Sequence, residues 1–222
     1  MGTLRKWELK DNGCNIYIET GTGTAASLEH ALHNGKFDHL YSVEIDTETA
    51  EKAKEKFNKN NKLTILNSDS ISALKLILSK LNNNDKVFFF LDAHFPGEVS
   101  SNFNGYDKES FDRTSLPLED ELKLIKSIRP ETNDIIVVDD LRIYEDADYE
   151  SGNLPTDFQD LPEKIRNIDF AKFFDARVIQ KLLFHEGYLL ITPEKSTFTL
   201  KKLSNLGRIK RNLYRIKQKL IN

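Results

Sequence analysis

The sequence predicts an α/β domain with a doubly wound, mostly parallel sheet of seven strands. Three observations carry this prediction. Unbroken apolar runs such as VFFFL at 87–91 and IIVV at 135–138 are typical of strands that a parallel sheet buries on both faces. Amphipathic segments of helical length separate these runs, as in βαβ units with right-handed crossovers. Two strand-like runs near the C-terminus, at 188–192 and 197–201, predict a closing antiparallel hairpin.

The first half of the chain alternates regularly between the two kinds of element. Its predicted strands are short and rich in Ile, Val, Leu and Phe. They occupy 15–19, 39–44, 63–66 and 87–92. The segments between them are amphipathic and long enough to form helices. They occupy 24–33, 47–58 and 70–81.

The second half continues this alternation and then departs from it. A predicted helix at 118–128 leads into a strand at 135–139, and an interrupted helix at 161–184 precedes the hairpin. Two long loops, at 93–116 and 141–160, break the regular spacing. Both follow strands that end in acidic residues, and loops of that length in a compact domain are usually functional or mobile.

The composition excludes several classes of protein. The 222 residues suit a single domain, and contents of 39% hydrophobic and 30% charged residues are ordinary for a globular protein. No apolar run is long enough to span a bilayer, and the N-terminus lacks the apolar core of a signal peptide. Cys14 is the only cysteine, which excludes an internal disulfide and suits a reducing compartment. We therefore expect a cytoplasmic location.

Charge is divided unevenly along the chain. Residues 201–222 carry eight Lys or Arg and no acid, which leaves 24 basic and 35 acidic residues in 1–200. An acidic body argues against nucleic acid as a partner. We therefore divide the chain into a domain at 1–200 and a basic amphipathic helix at 201–222. The apolar stripe of that helix could dock on the domain or on a second copy in a homo-oligomer, or attach peripherally to an anionic inner membrane face.

Three carboxylates stand where predicted strands end. Asp92 closes the run VFFFLD, and Asp139 and Asp140 close IIVVDD. The ligand crevice of a parallel sheet lies past the carboxyl ends of its strands, and acids that converge there repel one another unless a cation lies between them. Oxygen ligands favour Mg²⁺ or Mn²⁺. The alternative is three solvated loop acids.

A glycine loop, ETGTGTAAS, follows the first predicted strand and opens a helix. Gly21 and Gly23 would let the backbone turn tightly and approach a ligand closely. Glu44, at the end of the second strand, is placed to accept hydrogen bonds from ribose hydroxyls. The combination indicates a nucleoside cofactor rather than a structural turn, and it suits a dinucleotide or S-adenosylmethionine. Glu19 favours the latter, because a carboxylate suits an ammonium better than a pyrophosphate.

Residues 15–140 resemble the class I S-adenosylmethionine-dependent methyltransferases, and among them the metal-dependent O-methyltransferases that act on catechols or on antibiotic sugars. ETGTGTAAS, VEID, NSDS, LDAH and VVDD are similar to the family's motifs in their usual order. The resemblance implies a cofactor site with Glu19 near the methionine amino group, Ser27 near its carboxylate and Glu44 on the ribose. It places Ser68, Asp69 and Ser70 around the adenine and implies Asp92, Asp139 and Asp140 as metal ligands.

The chain departs from the catechol type at two positions. Phe95 stands where that type has a lysine base, and Asp140 where it more often has asparagine. The paired acids lean toward the sugar type. We therefore expect methylation of a hydroxyl on a small molecule or glycan that carries a vicinal diol, since two adjacent hydroxyls could fill two positions on the metal.

His94 is the predicted general base, because it lies two residues beyond Asp92 and an imidazole titrates near neutral pH. It could instead only support the metal shell. Three rival functions remain open. A metal-dependent glycosyltransferase would explain LDAH but not the glycine loop, and a nicotinamide dehydrogenase would explain the loop but not the acids. The third is a non-catalytic scaffold that retains the cofactor fold.

Overall fold

The computed structural model describes residues 4–94, 116–130, 133–153, 168–174 and 177–203. Its centre is a seven-stranded sheet with the order β3-β2-β1-β4-β5-β7-β6. The strands are β1 (Ile16–Thr20), β2 (His39–Glu44), β3 (Leu63–Asn67), β4 (Val87–Leu91), β5 (Ile135–Val138), β6 (Arg177–Leu182) and β7 (Tyr188–Pro193).

The first five strands are parallel, and β7 runs antiparallel to both β5 and β6. All residues of β1, β4 and β5 are buried, as their unbroken apolar sequences require. The predicted doubly wound, mostly parallel sheet with a C-terminal antiparallel hairpin is confirmed.

Within the described residues, the parallel strands are connected by the α-helices α1 (Ala26–Asn34), α2 (Thr47–Lys56), α3 (Ser70–Leu78) and α4 (Leu118–Ile128). Leu74 of α3 and Leu122 of α4 pack in one apolar cluster with Phe89 of the sheet. Leu28 of α1 packs on the opposite face with Phe88. Adjacent phenylalanines of β4 therefore belong to different cores, which is why its sequence shows no alternation.

The C-terminal part of the sheet corrects two predictions. The segment 177–182, predicted to be helical, is the edge strand β6. It pairs with β7, so the hairpin is not formed by 188–192 and 197–201. Burial on an edge strand is only partial, and Val178 is 50% exposed, so basic and apolar residues mix there as they do on an amphipathic helix.

The segment that follows β7 pairs with the N-terminus instead. The backbone N–H of Glu8 donates to the carbonyl of Lys201 at 2.8 Å, and that of Leu203 donates to Lys6 at 2.7 Å. Residues 204–222, most of the predicted basic helix, lie outside the described part of the chain, as do 95–115 and 154–167 of the other long segments. Among the described helices, none is long and apolar enough to cross a membrane.

A buried ion pair joins the amino ends of β4 and β5. The Arg129 guanidinium donates to both carboxylate oxygens of Asp134, at 2.7 and 3.1 Å, and to the carbonyl of Asp85 at 2.6 Å. Asp134 also accepts from the backbone N–H of Val87 at 2.8 Å. Arg129 is 3% exposed and Asp134 is fully buried. This pair fixes the strand ends opposite to the predicted site.

Candidate functional site

The carboxyl ends of β1, β4 and β5 lie side by side and bring the predicted motifs together. The backbone N–H of Asp92 donates to the carbonyl of Thr20, and that of Asp139 donates to the carbonyl of Leu91, both at 3.1 Å. These bonds extend the strand pairing by one residue. The glycine loop and all three acids therefore belong to one edge of the sheet.

The glycine loop turns directly against the end of β4. Gly21 has a φ of +85°, and a Cβ built on it would lie 2.5 Å from the carbonyl oxygen of Asp92. Gly23 has a φ of +48°, with nothing within 4 Å of its Cβ position. Ala25 is also left-handed, at φ +58°, and Ala26 begins α1. Of the two glycines in this loop, Gly21 is the one required both by conformation and by space.

The Glu44 carboxylate holds the glycine loop through a hydrogen bond to its backbone. Its Oε2 accepts from the backbone N–H of Gly23 at 2.8 Å, and its Oε1 accepts from Asp46 at 3.0 Å. Each carboxylate oxygen can accept more than one hydrogen bond, so these bonds leave capacity for ribose hydroxyls. Glu44 thus fixes the loop, and its contact with a nucleoside stays a prediction.

Glu19 is fully buried beneath the same loop. The Tyr17 hydroxyl donates to its Oε2 at 2.8 Å, and the Ser42 hydroxyl donates to its Oε1 at 2.7 Å. Burial raises the pKa of Glu19 to about 8, although these two hydrogen bonds oppose the shift. Each carboxylate oxygen of Glu19 can still accept a further hydrogen bond, but the side chain is fully buried. Direct contact with a ligand ammonium would therefore require the surrounding side chains to move; otherwise the attraction acts across the buried network.

The third motif is placed beside Glu44. The backbone N–H of Ser68 donates to the carbonyl of Glu44 at 3.0 Å. Asp69 caps α3 by accepting from Ser72 at 2.8 Å, and Ser70 is buried. Burial raises the pKa of Asp69, but the hydrogen bonds from Ser72 outweigh it and leave the pKa below its ordinary value. Asp69 therefore has a helix-capping role besides any contact with adenine.

Ser27 lies apart from this group. Its hydroxyl accepts from the backbone N–H of Leu4 at 3.3 Å, which ties α1 to the N-terminal segment. Contact between Ser27 and a methionine carboxylate remains a prediction from the resemblance.

An imidazole lies between two of the acids. His94 Nε2 is 3.1 Å from Asp92 Oδ1 and 3.1 Å from Asp140 Oδ2. Burial alone would lower the pKa of His94, but the hydrogen bonds to Asp140 and Asp92 raise it well above its ordinary value. The raised pKa favours the charged ring, and an imidazolium cannot accept a proton. A role as general base requires the ring to be neutral first.

Asp139 and Asp140 are held differently although they are adjacent. Burial and the charges of Asp92 and Asp140 raise the pKa of Asp139 well above its ordinary value, and its Oδ1 accepts from the backbone N–H of Asp140 at 2.9 Å. Asp140 has a left-handed backbone, with φ +49°. Burial raises the pKa of Asp140, but the bond to His94 outweighs that effect and leaves the pKa lowered.

Asp92, Asp139 and Asp140 offer the oxygen ligands that a hard cation such as Mg²⁺ prefers. However, the His94 ring occupies the space between Asp92 and Asp140. Asp140 Oδ1 is buried without a hydrogen-bond partner in the described part of the chain, and clustered carboxylates favour a cation. Among the described residues, however, no group of three His, Cys, Asp or Glu side chains has a metal-binding arrangement. A divalent cation would need His94 to turn away from Asp92 and Asp140.

Sequence reasoning missed one acid at this edge, Glu121. The buried face of α4 consists of Leu118, Glu121, Leu122 and Ile125, so a carboxyl group occupies one position of an apolar stripe. Burial raises the pKa of Glu121 to about 7. The signal was present in the sequence, since the spacing of that stripe places residue 121 on the buried face.

Comparison with solved structures identifies the fold. A candidate caffeoyl-CoA O-methyltransferase from Staphylococcus aureus superposes with a TM-score of 0.56 at 11% identity, covering 82% of this chain and 77% of that one. The fold is that of the class I methyltransferases. A SAM-dependent methyltransferase from Aquifex aeolicus gives a TM-score of 0.43 at 16% identity, with 83% of each chain covered. No protein-family model and no curated protein matches the sequence.

Proposed function

We propose that this protein is an S-adenosylmethionine-dependent O-methyltransferase that uses Mg²⁺ or Mn²⁺ and methylates a hydroxyl of a sugar or another vicinal diol. The observation that carries the proposal is the contact between the glycine loop and the acid cluster. Because the Cβ position of Gly21 is 2.5 Å from the carbonyl of Asp92, a cofactor seated on the loop would lie beside the acids. Donor and acceptor sites would then be adjacent, as methyl transfer requires.

The chain's own residues supply binding and orientation. Glu44 and Gly23 would hold the ribose side of the cofactor, and Glu19 would favour the methionine ammonium. Asp92, Asp139 and Asp140 would hold the cation. When bound, the cofactor supplies a sulfonium methyl group, and the cation supplies Lewis-acid stabilisation of the acceptor oxygen. The new carbon–oxygen bond would replace the bond between the methyl carbon and sulfur, so that S-adenosylhomocysteine would be the leaving group. The acceptor O–H proton would pass to His94 Nε2, once that ring is neutral.

The acceptor, partners and location complete the proposal. A small molecule or glycan hydroxyl suits the acid cluster better than nucleic acid does, since a negatively charged backbone would be repelled. A cytoplasmic protein whose segment 201–222 contacts an anionic membrane surface or a second subunit is consistent with the charge distribution of the sequence.

Calorimetry with three ligands distinguishes the rival functions. S-adenosylhomocysteine is expected to bind the full-length protein, whereas NAD and a UDP-sugar are not, with or without Mg²⁺. Binding of NAD alone would favour a dehydrogenase, and Mg²⁺-dependent binding of the UDP-sugar would favour a glycosyltransferase. A scaffold without a ligand would bind none of them.

Binding of S-adenosylhomocysteine is expected to release a proton from Glu19. With a pKa of about 8, this carboxyl is mostly protonated at pH 7, and a ligand ammonium favours its ionised form. Up to about 0.9 proton per site should therefore be released at pH 7, and affinity should rise with pH until the pH exceeds about 8. Calorimetry in buffers of different ionisation enthalpy measures this release.

Two variants control that measurement. Glu19→Gln should abolish the proton release, and Glu55→Gln, which changes an exposed residue of α2, should leave it intact. Heat of binding that is the same in all buffers for the unaltered protein would show that Glu19 does not sense the amino group.

His94→Gln is expected to strengthen Mn²⁺ binding by about tenfold or more. In the unaltered protein the imidazolium neutralises Asp92 and Asp140, and a cation must displace it. Because each unit of raised pKa corresponds to about a tenfold preference for the charged ring, removing the ring's charge removes that competition. Electron paramagnetic resonance of free Mn²⁺ measures the affinity without any assay of activity.

The pH dependence provides an internal check. Mn²⁺ affinity of the unaltered protein should climb from pH 6 to 8 more steeply than that of His94→Gln. His39→Gln is the matched control, since His39 bonds Thr64 at 2.9 Å outside this cluster. Weaker Mn²⁺ binding by His94→Gln would mean that the imidazole supports the metal instead of competing with it.

A further inference from the structure

Glu121 is a buried carboxyl with an incomplete set of hydrogen bonds. It is 1% exposed, and its Oε1 has no hydrogen-bond partner within the described residues. An unpaired polar atom in an apolar core costs stability, so its presence calls for a physical reason. The proposed chemistry does not use this residue.

Two hydroxyl groups approach Glu121 from other elements. Thr20 follows Ile16 and Ile18 on the sheet face that α3 and α4 cover, and its Oγ1 is likewise buried without a partner in the described segments. Ser70, the first residue of α3, is also buried. Helices α3 and α4 both begin at the carboxyl edge of the sheet, so their first turns are neighbours there.

Electrostatics agree with this placement. Burial raises the pKa of Glu121 to about 7, and the hydroxyls of Ser70 and Thr20 are close enough to oppose that shift. Neither Thr20 Oγ1 nor Glu121 Oε1 completes a hydrogen bond of standard geometry within the described residues. The charge of Asp92 also raises the pKa of Glu121, and that of His94 lowers it. Burial raises the pKa of Tyr144, and the charge of Glu121 raises it further.

The groups around Glu121 belong to separate parts of the proposed cofactor pocket. Thr20 immediately precedes Gly21 of the glycine loop, and Ser70 ends the motif that is predicted to surround the adenine. A neutral carboxyl can donate one hydrogen bond and accept others, and each hydroxyl can do both. Small adjustments of these side chains would therefore let Glu121 bond both segments when the pocket is filled.

We propose that Glu121 is a positioning residue that holds the glycine loop and the start of α3 in the arrangement that binds the cofactor. The inference rests on the proposed function. It differs from a general packing role, because a leucine would pack at least as well in that apolar stripe but could not join Thr20 to Ser70.

Affinity for S-adenosylhomocysteine and melting temperature, measured on full-length variants, separate the two roles. Glu121→Leu is expected to weaken binding at least tenfold while its melting temperature is unchanged or higher. Glu121→Gln keeps the shape and the hydrogen-bonding capacity, so its affinity should stay within about threefold of the unaltered protein. Thr20→Val should also weaken binding, and it decides the matter if Glu121→Leu does not fold. Glu119→Gln, which changes a partly exposed residue of α4 that pairs with Lys123 and Lys172, should leave the affinity unchanged.

Each outcome has a definite meaning. Undiminished binding by Glu121→Leu overturns the inference but leaves the proposed function intact, as does undiminished binding by Thr20→Val where the leucine variant does not fold. Equal losses of affinity by the leucine and glutamine variants, together with lower melting temperatures, would show a packing role and also overturn it. Failure of the unaltered protein to bind the ligand overturns the proposed function and this inference together.

Discussion

Gly21→Ala is expected to lower the free energy of unfolding by about 2–5 kcal/mol and to abolish measurable binding of S-adenosylhomocysteine. The left-handed backbone costs an L-residue roughly 1–2 kcal/mol. The new Cβ would lie 2.5 Å from the carbonyl oxygen and 2.9 Å from the carbonyl carbon of Asp92. These are backbone atoms of β4, which cannot give way as a flexible side chain can, and overpacking of this kind costs about 1–3 kcal/mol more.

Gly23→Ala is the matched control for the steric contribution to the cost of Gly21→Ala. Its backbone is also left-handed, at φ +48°, but nothing lies within 4 Å of its Cβ position. We therefore expect only the conformational cost, about 1–2 kcal/mol. Urea unfolding measures stability, and calorimetry measures affinity. Equal costs for the two variants would show that the close approach of the loop to Asp92 has no energetic weight, and would weaken the link between the cofactor loop and the acid cluster.

Arg129→Met is expected to destabilise the protein by about 3–5 kcal/mol. The substitution leaves Asp134 as a fully buried carboxylate that has lost the cation bonding both its oxygens, and breaking a buried pair in this way costs about that amount. Since domains are typically stable by only about 5–15 kcal/mol, the loss is a large fraction of the total. Urea denaturation followed by circular dichroism gives the value.

An exposed ion pair and a double variant control this measurement. Lys36→Met removes the cation of the pair between Lys36 and Asp11, whose side chains are 72% and 80% exposed, and no measurable change is expected. Replacing Arg129 and Asp134 together with Met and Leu should cost less than Arg129→Met alone, because no buried carboxylate then remains without the Arg129 guanidinium. A double variant that is less stable than the single one would contradict this account.

The fold was predictable because its signal is local. A strand buried on both faces must be apolar at every position. The runs VFFFL and IIVV therefore each predict a central strand from their own residues alone. The failure at 177–182 has the complementary cause. β6 lies at the sheet edge and is only partly buried. Its sequence therefore shows neither a strict alternation of apolar and polar residues nor a continuous apolar run. An edge strand is defined by its pairing. The sequence did predict β7 to be a strand, but its pairing with 177–182 is visible only in three dimensions.

The candidate site was predictable to the level of its location. The carboxyl ends of parallel strands share one edge, so the residues that end β1, β4 and β5 were expected at the same edge. The strand order then places them side by side. The left-handed requirement at Gly21 was likewise implied by a glycine directly after a buried strand. Which atoms contact one another at that edge was not implied, and Glu121 shows why: its approach to Thr20 and Ser70 joins segments that are far apart in the chain.

The sequence by itself determined the order of strands and helices as far as β5, the buried character of the central strands, and the edge at which Glu44, Asp92, Asp139 and Asp140 lie. These follow from hydrophobic periodicity and chain direction, which each segment carries on its own. Only the tertiary structure decided that His94 lies between two carboxylates and that Glu19 is buried beneath its loop. The charge state of a side chain depends on its solvent exposure and on the groups that surround it in the folded structure. Neither property can be predicted from the residues next to it in the sequence.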